Sequence, residues 1–505
     1  MTRCLSLLLA TLLLLCPAAG ATWSIVLVDT ATGEVAIGAA TCLESLDLLK
    51  LLPVLVVGRG GGAAQSAIDT TASNRKEMFE NLQAGTPPEE IILLLLDGDL
   101  QWKARQYGIA DHSPAAAGFT GGAAFGYKEH VTGTQGTLTF AIQGNVLAGA
   151  PVIDAAQAAV LGTPGSLADR LMAGMEAARA MGGDGRCSCS ESMPQSCGSP
   201  PPAFEKSAHI GFIVVARIGD TDGVCNALKG CASGEYWLKL NVKGQFEDDP
   251  DPVFQLQALY ADFLAGLAGH PDGLRSVAGF EHSALLADGV STRTLTLALY
   301  DHFGAPITVG GAVLNVQHAP ASAGSCAIGA VQDHGDGTYS VPVTAGLATG
   351  SDLFSVRVDD GVEAATLFPY PALELREALR ADVAALPAAA GGVATLDLLG
   401  PSAAGGRPFA LALSAAGSSP GQVLPGGALL PLNADRLYLA LPQLVASGML
   451  QGVPGLLDAG AAGGAVLQAP AGALAFLSGR QLALAWFTLR PSDFASNAVT
   501  LEIMP

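Results

Sequence analysis

Basic residues are scarce in this chain of 505 residues: 25 Lys and Arg stand against 45 Asp and Glu, a formal net charge of −20. Nucleic acid and anionic lipid surfaces both call for clustered cations, so neither is expected as a partner. No apolar run after residue 21 approaches the roughly 20 residues that a membrane-spanning helix needs, and Ile91 to Leu96 falls far short. No membrane span is expected. The eight histidines form no H-E-x-x-H and the nine cysteines no C-x-x-C, so the usual signatures of a metalloprotease or a zinc module are missing. No metal and no cofactor is expected. Hydrophobic residues, at 50 % of the chain, supply enough apolar surface for several cores and exclude a disordered protein.

What is present begins at the N-terminus. Arg3, the apolar stretch Leu5 to Leu15 and the small residues Ala18 to Ala21 read as a signal peptide over residues 1–21, cleaved after Ala21, which implies a secreted, periplasmic or cell-surface protein. A lipid-attachment site at Cys16 is the rival reading; the bulk of Leu15 before it argues against that. Cleavage after Ala21 would make Thr22 the first residue, with a hydroxyl and a free α-amine (reference pKa about 7.7–8.0) on one residue. A threonine hydroxyl is inert at neutral pH, and an adjacent amine can take its proton during attack on an acyl carbon. Thr22 is therefore the candidate nucleophile.

Cys4 and Cys16 fall in the leader, leaving Cys42, Cys187, Cys189, Cys197, Cys225, Cys231 and Cys326. In an oxidising compartment most should pair, as staples of the Ser/Pro/Gly-rich loops around 187–197 and 225–231; the pairing itself stays open. An odd number leaves at least one free thiol. Cys42, which follows the apolar run Val35 to Ala40, is the expected buried and unreactive one.

The pattern along residues 22–272 is α+β. Thr22 to Asp29 and Glu34 to Thr41 read as a hairpin, and Leu52 to Val57 as a third strand. Helices are expected at Ser73 to Ala84 and Pro88 to Leu96, then strands at Gln101 to Ile109 and Thr137 to Gln143. A helix pair follows, Val152 to Leu161 and Ser166 to Ala180, the second opened by an N-cap Ser. Strands at Ala208 to Ile218 and Tyr236 to Val242 precede a helix from about Pro252 to Ala268. From residue 280 to 370 short alternating runs separated by Asp, Gly and Asn turns indicate a β-sandwich. A partly helical linker is expected over 371–390, with a helix at Leu373 to Leu386, and a second all-β domain over 391–505; a low-complexity tail is the alternative there.

Five segments in order, Thr22-Trp23-Ser24-Ile25-Val26, Ala39-Ala40-Thr41-Cys42, Phe119-Thr120-Gly121, Gln143-Gly144-Asn145-Val146-Leu147-Ala148-Gly149 and Asp248-Asp249-Pro250-Asp251-Pro252-Val253, together resemble a bacterial family, domain of unknown function 1028, grouped with the N-terminal-nucleophile (Ntn) hydrolases. The resemblance covers about residues 22–270. It implies an αββα four-layer sandwich with Thr22 heading the first strand. It also implies Asn145 as a side-chain donor to an oxyanion, with the backbone N–H groups of Gly144 and Gly121 as simpler donors. Ser24, Gln65 and Asp69 lie on matched segments, and Ser24 shares a strand face with Thr22. Asp184-Gly185-Arg186 matches a family stretch that runs straight on to Ser207-Ala208, so residues 187–206 either roof the site or displace Arg186 from it. Residues Ser283 to Asp360 resemble invasin-type bacterial Ig-like modules through Ala287-Asp288-Gly289 and Gly335-Asp336-Gly337-Thr338-Tyr339, and the tail resembles β-domains at the C-termini of secreted bacterial proteins.

Three further patterns are set aside. Gly58-Arg59-Gly60-Gly61-Gly62-Ala63 fits a dinucleotide fingerprint but reaches no helix for about ten residues. Gly417-Ser418-Ser419-Pro420-Gly421 fits G-x-S-x-G in all-β surroundings, where it makes a turn. Asp248 to Asp251 lacks EF-hand spacing and suits a helix N-terminus instead. The expected function is a secreted hydrolase of a small-molecule or peptide amide. The alternative is a non-catalytic exported binding or adhesion protein meeting a cell-surface or extracellular partner through its β-domains. Homo-oligomer formation is left open.

Overall fold

The computed structural model of the chain describes residues 22–323 and 325–505; the leader expected at residues 1–21 lies outside them. The chain divides into two compact units, with the boundary between Ala268 and Gly269. The first opens with the antiparallel hairpin β1 (Thr22–Asp29) and β2 (Val35–Thr41), in register from Trp23 opposite Ala40 to Val28 opposite Val35. A helical turn α1 (Leu48–Leu51) leads to β3 (Pro53–Val56) and β4 (Gly60–Ser66). Helices α2 (Ser73–Ala84) and α3 (Pro88–Gly98) precede β5 (Arg105–Asp111), β6 (Ala116–Thr120), β7 (Tyr127–Gln135) and β8 (Leu138–Leu147). The unit ends with α4 (Pro151–Gly162), α5 (Leu167–Ala180), the short α6 (Gly185–Ser188), β9 (Ile210–Ala216), β10 (Leu238–Val242) and α7 (Pro252–Gly266).

The strands make a six-stranded sheet in the order β10-β9-β2-β1-β8-β7 and a four-stranded sheet β3-β4-β5-β6. Strand side chains alternate between faces, and β1 shows what each face meets. Trp23, Ile25 and Leu27 join Val152, Leu171 and Met175 beneath α4 and α5. Val26 and Val28 point the other way and join Leu55, Ala63 and Ala110 of the smaller sheet. On that sheet's far side Met78, Phe79, Ile91 and Leu95 of α2 and α3 cover Tyr107 and Ile109. Ser166 opens α5 with a reciprocal capping box to Asp169, as its sequence position requires.

Two expectations about local structure change here, and one strand was not foreseen. The Gly58 to Ala63 stretch, set aside above as a dinucleotide loop, is from Gly60 strand β4, which alternation could not reveal because its residues are small. A Cβ at Gly62 would lie 2.2 Å from Met78 Sδ, so only glycine lets α2 close on this strand. The helix expected at Leu373 to Leu386 is replaced by strands Ala372–Arg376, Leu379–Ala381 and Ala385–Pro387. Leu373 and Leu375 are buried while Ala372 and Glu374 are exposed; this two-residue period, paired to Gly350–Leu353, overrides the helix propensity of an Ala/Leu/Glu-rich segment. Cys42 is not free. It is bonded to Cys187, the other bridges join Cys189 to Cys197 and Cys225 to Cys231, and among the described residues the unpaired thiol is Cys326.

The second unit is all-β apart from short helical turns. Its first sandwich packs Leu295, Leu297, Tyr339 and Val341 of one sheet on Phe354, Val356, Leu373 and Leu375 of the other. Cys326 sits in this core beside Asp352, and burial together with that carboxylate pushes its thiol up to about 12, which keeps it protonated and inert. The second sandwich centres on Trp486, Phe409 and Leu411, with the indole Nε1 donating to the Ala378 carbonyl at 2.7 Å. Among the described residues no helix is long and apolar enough to cross a membrane.

Candidate active site at the head of the first strand

Thr22 and Ser24 share the parity of Val26 and Val28, so they too face the four-stranded sheet, at one end of an interface that is otherwise apolar. Polar side chains from both sheets meet them there. Ser24 Oγ donates to Gln65 Oε1 at 2.6 Å and accepts from Gln143 Nε2 at 2.5 Å. Gln65 Nε2 donates to the Thr22 carbonyl at 3.0 Å and to Gln106 Oε1 at 2.8 Å. Gln106 Nε2 in turn lies 2.9 Å from the Gly144 carbonyl and 2.9 Å from Thr120 Oγ1. Thr22, Ser24, Gln65, Gln106 and Gln143 are all at most 1 % exposed. Buried amides are stable where their hydrogen bonds are made; Gln143 Oε1 is left without a partner among the described residues, and the remaining bonds fix both the carbonyl of Thr22 and the rotamer of Ser24. Glycine makes the room: a Cβ at Gly108 would fall 1.8 Å from Gln143 Oε1.

Asn145 stands directly opposite Thr22 in the β1/β8 ladder and is fully buried. Gly144, opposite Trp23, lies inside the sheet between β1 and β7. Gly121 is not available as a donor, because its N–H is committed to the Arg105 carbonyl at 2.9 Å. Asp69 is not brought into the network. Its carboxylate accepts from Thr71, Ser73 and Asn74 at the start of α2; burial opposes the charge, but these bonds outweigh it and hold the group at about 2. Backbone strain flanks the two residues nearest Thr22: Ser66, after Gln65, has φ +74°, and Val146, after Asn145, has φ +53°. A β-branched residue in the left-handed region costs on the order of 1–3 kcal/mol and persists only where its surroundings fix it.

The space beyond Thr22 in the sheet is filled. With Thr22 opposite Asn145, a β1 two residues longer would bring a residue opposite Leu147. Leu147 already has Tyr127 of β7 on one side, and on the other it pairs with Asp184. The Asp184 carboxylate, fully buried, accepts the N–H of Cys42 just past β2 at 2.8 Å and a guanidinium bond from Arg186 at 2.8 Å. Asp184 thus bridges β8 and β2 in the row that β1 would enter. The Cys42–Cys187 disulfide locks this crossing. Arg186 stays beside Asp184, and the inserted segment returns to the same sheet end, where Gln195 Nε2 donates to the Leu147 carbonyl at 3.0 Å.

Sequence reasoning missed Gln106 and His130, and it quoted Gln143, Thr120 and Asp184 within matched segments without giving them a role. Gln143 carried a usable signal, a polar residue following the run Phe140-Ala141-Ile142 in β8; Gln106 did not, because its strand also carries Arg105 and Asp111. His130 Nδ1 lies 2.8 Å from Thr120 Oγ1, and burial lowers its pKa, favouring the neutral ring. The metal alternatives gain nothing. The Cys42 and Cys187 sulfurs near His209 are bonded to each other, and Asp251 caps α7 through Val253 and holds Ser207.

The network sets a clear expectation. Gln65→Leu removes the donor to Thr22 and strands Ser24 Oγ and Gln106 Oε1, each buried group costing about 1–3 kcal/mol. The transition of the N-terminal unit in urea should lose about 3–5 kcal/mol; a loss below about 1 kcal/mol would show that the amides do not hold this end of the sandwich together.

Residues 22–195 match the model of a family described as family of unknown function (DUF1028), and the match opens on Thr22; residues 275–367 match invasin, domain 3. Among solved structures, a Silicibacter pomeroyi protein of that family of unknown function shows 20 % identity over 48 % of this chain and 85 % of its own, with a TM-score of 0.36. A Yersinia pseudotuberculosis adhesin shows 18 % identity over 46 % of this chain and 61 % of its own, TM-score 0.16. Invasin, described as a bacterial integrin-binding protein, shows 13 % identity over 59 % of this chain and 46 % of its own, TM-score 0.17. No curated protein matches the chain.

Proposed function

We propose that the N-terminal unit is an Ntn hydrolase of αββα architecture, exported and then processed so that Thr22 becomes its first residue. The observation that carries this reading is the occupied row beyond Thr22: Asp184 pairs with Leu147 and accepts the Cys42 N–H, in the place that a β1 two residues longer would need. Two sheets face to face with helices outside both, a polar network around the Thr22 carbonyl and strain beside Asn145 support it further.

In the mechanism, the Thr22 α-amine takes the hydroxyl proton as Oγ attacks the substrate carbonyl carbon. The side-chain amide of Asn145, held opposite Thr22, donates to the oxyanion. The ammonium returns the proton to the departing amine, and water then hydrolyses the acyl ester by the same base. Ser24, Gln65 and Gly144 act through position: Gln65 fixes the Thr22 carbonyl, Ser24 fixes Gln65, and Gly144 accepts the bond that orients Gln106. The substrate is an amide of a small molecule or peptide. A peptidyl epoxyketone, which condenses with the hydroxyl and amine of an N-terminal threonine, should form an adduct on Thr22 of the mature chain. A mature chain that begins at Thr22 yet forms no adduct overturns the reading.

The match of residues 275–367 to invasin, domain 3 favours a second role beside the first. The all-β unit would carry the protein to a cell-surface or extracellular partner, placing it outside the cytoplasm.

A further inference from the structure

We propose that Asp184 is the positioning residue for the Thr22 α-amine, an inference that rests on Thr22 being the first residue of the processed chain. Asp184 pairs with Leu147, two ladder positions beyond Asn145 and on the side of β8 that β1 occupies. Two strand residues span about 7 Å, so Asp184 adjoins the strand head. Its carboxylate is turned toward β2, where it accepts the Cys42 N–H at 2.8 Å. Thr22 lies in β1 between β2 and β8. A carboxylate that bridges the ends of those two strands therefore sits beside the backbone nitrogen of the strand between them. It is fully buried and anchored through Cys42, through Arg186 and, by sequence, through the Cys42–Cys187 disulfide. Such a group orients the amine toward the threonine hydroxyl and supports the ammonium that forms when the hydroxyl proton is taken.

Other charges face this region. Arg186 of α6 lies against Asp184 itself. His209, before β9, has Glu44 and Glu247 on its Nε2 and Lys206 nearby. Lys128, Glu129 and His130 come from β7, the strand on the other side of β8, and Arg179 of α5 is held by Asp251. From the smaller sheet the neutral Gln65 reaches the Thr22 carbonyl, and the neutral Gln106 reaches Gln65. Asp184 and Arg186 thus form a pair of opposite sign whose members can be neutralised separately.

The test is the pH dependence of periodate oxidation of the mature, exported full-length chain. Periodate cleaves the Cα–Cβ bond of an N-terminal 2-amino alcohol whose amine is free. It leaves a glyoxylyl chain, acetaldehyde and ammonia while being reduced to iodate, and intact mass reads the product. The midpoint of the rate profile reports the amine. Asp184→Asn should move that midpoint down by about one pH unit, the size conferred by a charge within a few ångströms, and Arg186→Gln should move it up. Asp184→Glu should restore the original value. Equal midpoints in all three variants overturn the proposal even when the wild-type chain is oxidised normally. A wild-type chain that begins at Thr22 and is not oxidised removes the accessible amine, and the proposal and the hydrolase reading fall together. Should Asp184→Asn not accumulate as folded protein, the Arg186→Gln midpoint decides alone: upward supports the assignment, unchanged refutes it.

Discussion

On the proposed function, Thr22→Ala should leave the fold intact and abolish amide hydrolysis. The alanine keeps the backbone carbonyl that Gln65 holds at 3.0 Å and removes the hydroxyl and the γ-methyl at the end of the strand, so the unfolding transition of the N-terminal unit should fall by no more than about 1–2 kcal/mol. Activity should fall on the order of 10³-fold or more, the scale of losing a covalent nucleophile. Thr22→Ser retains hydroxyl and amine and should keep measurable turnover. Hydrolysis of a small acyl amide by the mature variants, beside calorimetric unfolding, separates the outcomes. Retained activity in Thr22→Ala with a native transition would move the chemistry to another residue.

The second large effect concerns the bridge that locks Asp184. Cys42 and Cys187 are 145 residues apart in sequence, whereas Cys189 and Cys197 are separated by only 8. In the chain-entropy account, a closed loop of the first size stabilises by about 5 kcal/mol and one of the second size by about 2.5 kcal/mol. The double substitution Cys42→Ser with Cys187→Ser should therefore lower the calorimetric transition of the N-terminal unit about twice as far as Cys189→Ser with Cys197→Ser. The transition of the all-β unit should remain in place. It should also lower reactivity at Thr22, since the Asp184 crossing loses its anchor. Equal, small shifts for the two pairs would show that the Cys42–Cys187 bridge does not hold this end of the sheet.

What the sequence discloses and what it hides follow physical lines. Helices with a cap and a stripe were legible: Ser73–Ala84 has the expected bounds, and Ser166 caps α5 as predicted. The β1/β2 hairpin was legible from two β-rich runs joined by the small-residue turn Thr30-Ala31-Thr32-Gly33. Strand β4 was not, because a run of glycine and alanine has no alternation to show; its burial comes from the elements that close on it. The strand at Ala372–Arg376 was masked by helix-forming residues whose pairing partner lies some twenty positions earlier, at Gly350–Leu353. Within the candidate site, Ser24 and Gln65, from strands of different sheets, are hydrogen-bonded to each other. Asp69 does not join them, because a carboxylate four residues before a helix start finds its donors locally. Asp184 and Cys42 meet across 142 positions, a contact that no local pattern encodes.

The most direct test is the N-terminal sequence of the exported protein. The account predicts Thr22-Trp23-Ser24-Ile25-Val26 as the first five residues, with a free amine. A chain beginning at Ala21 or at Trp23, or one that keeps residues before Thr22, contradicts it.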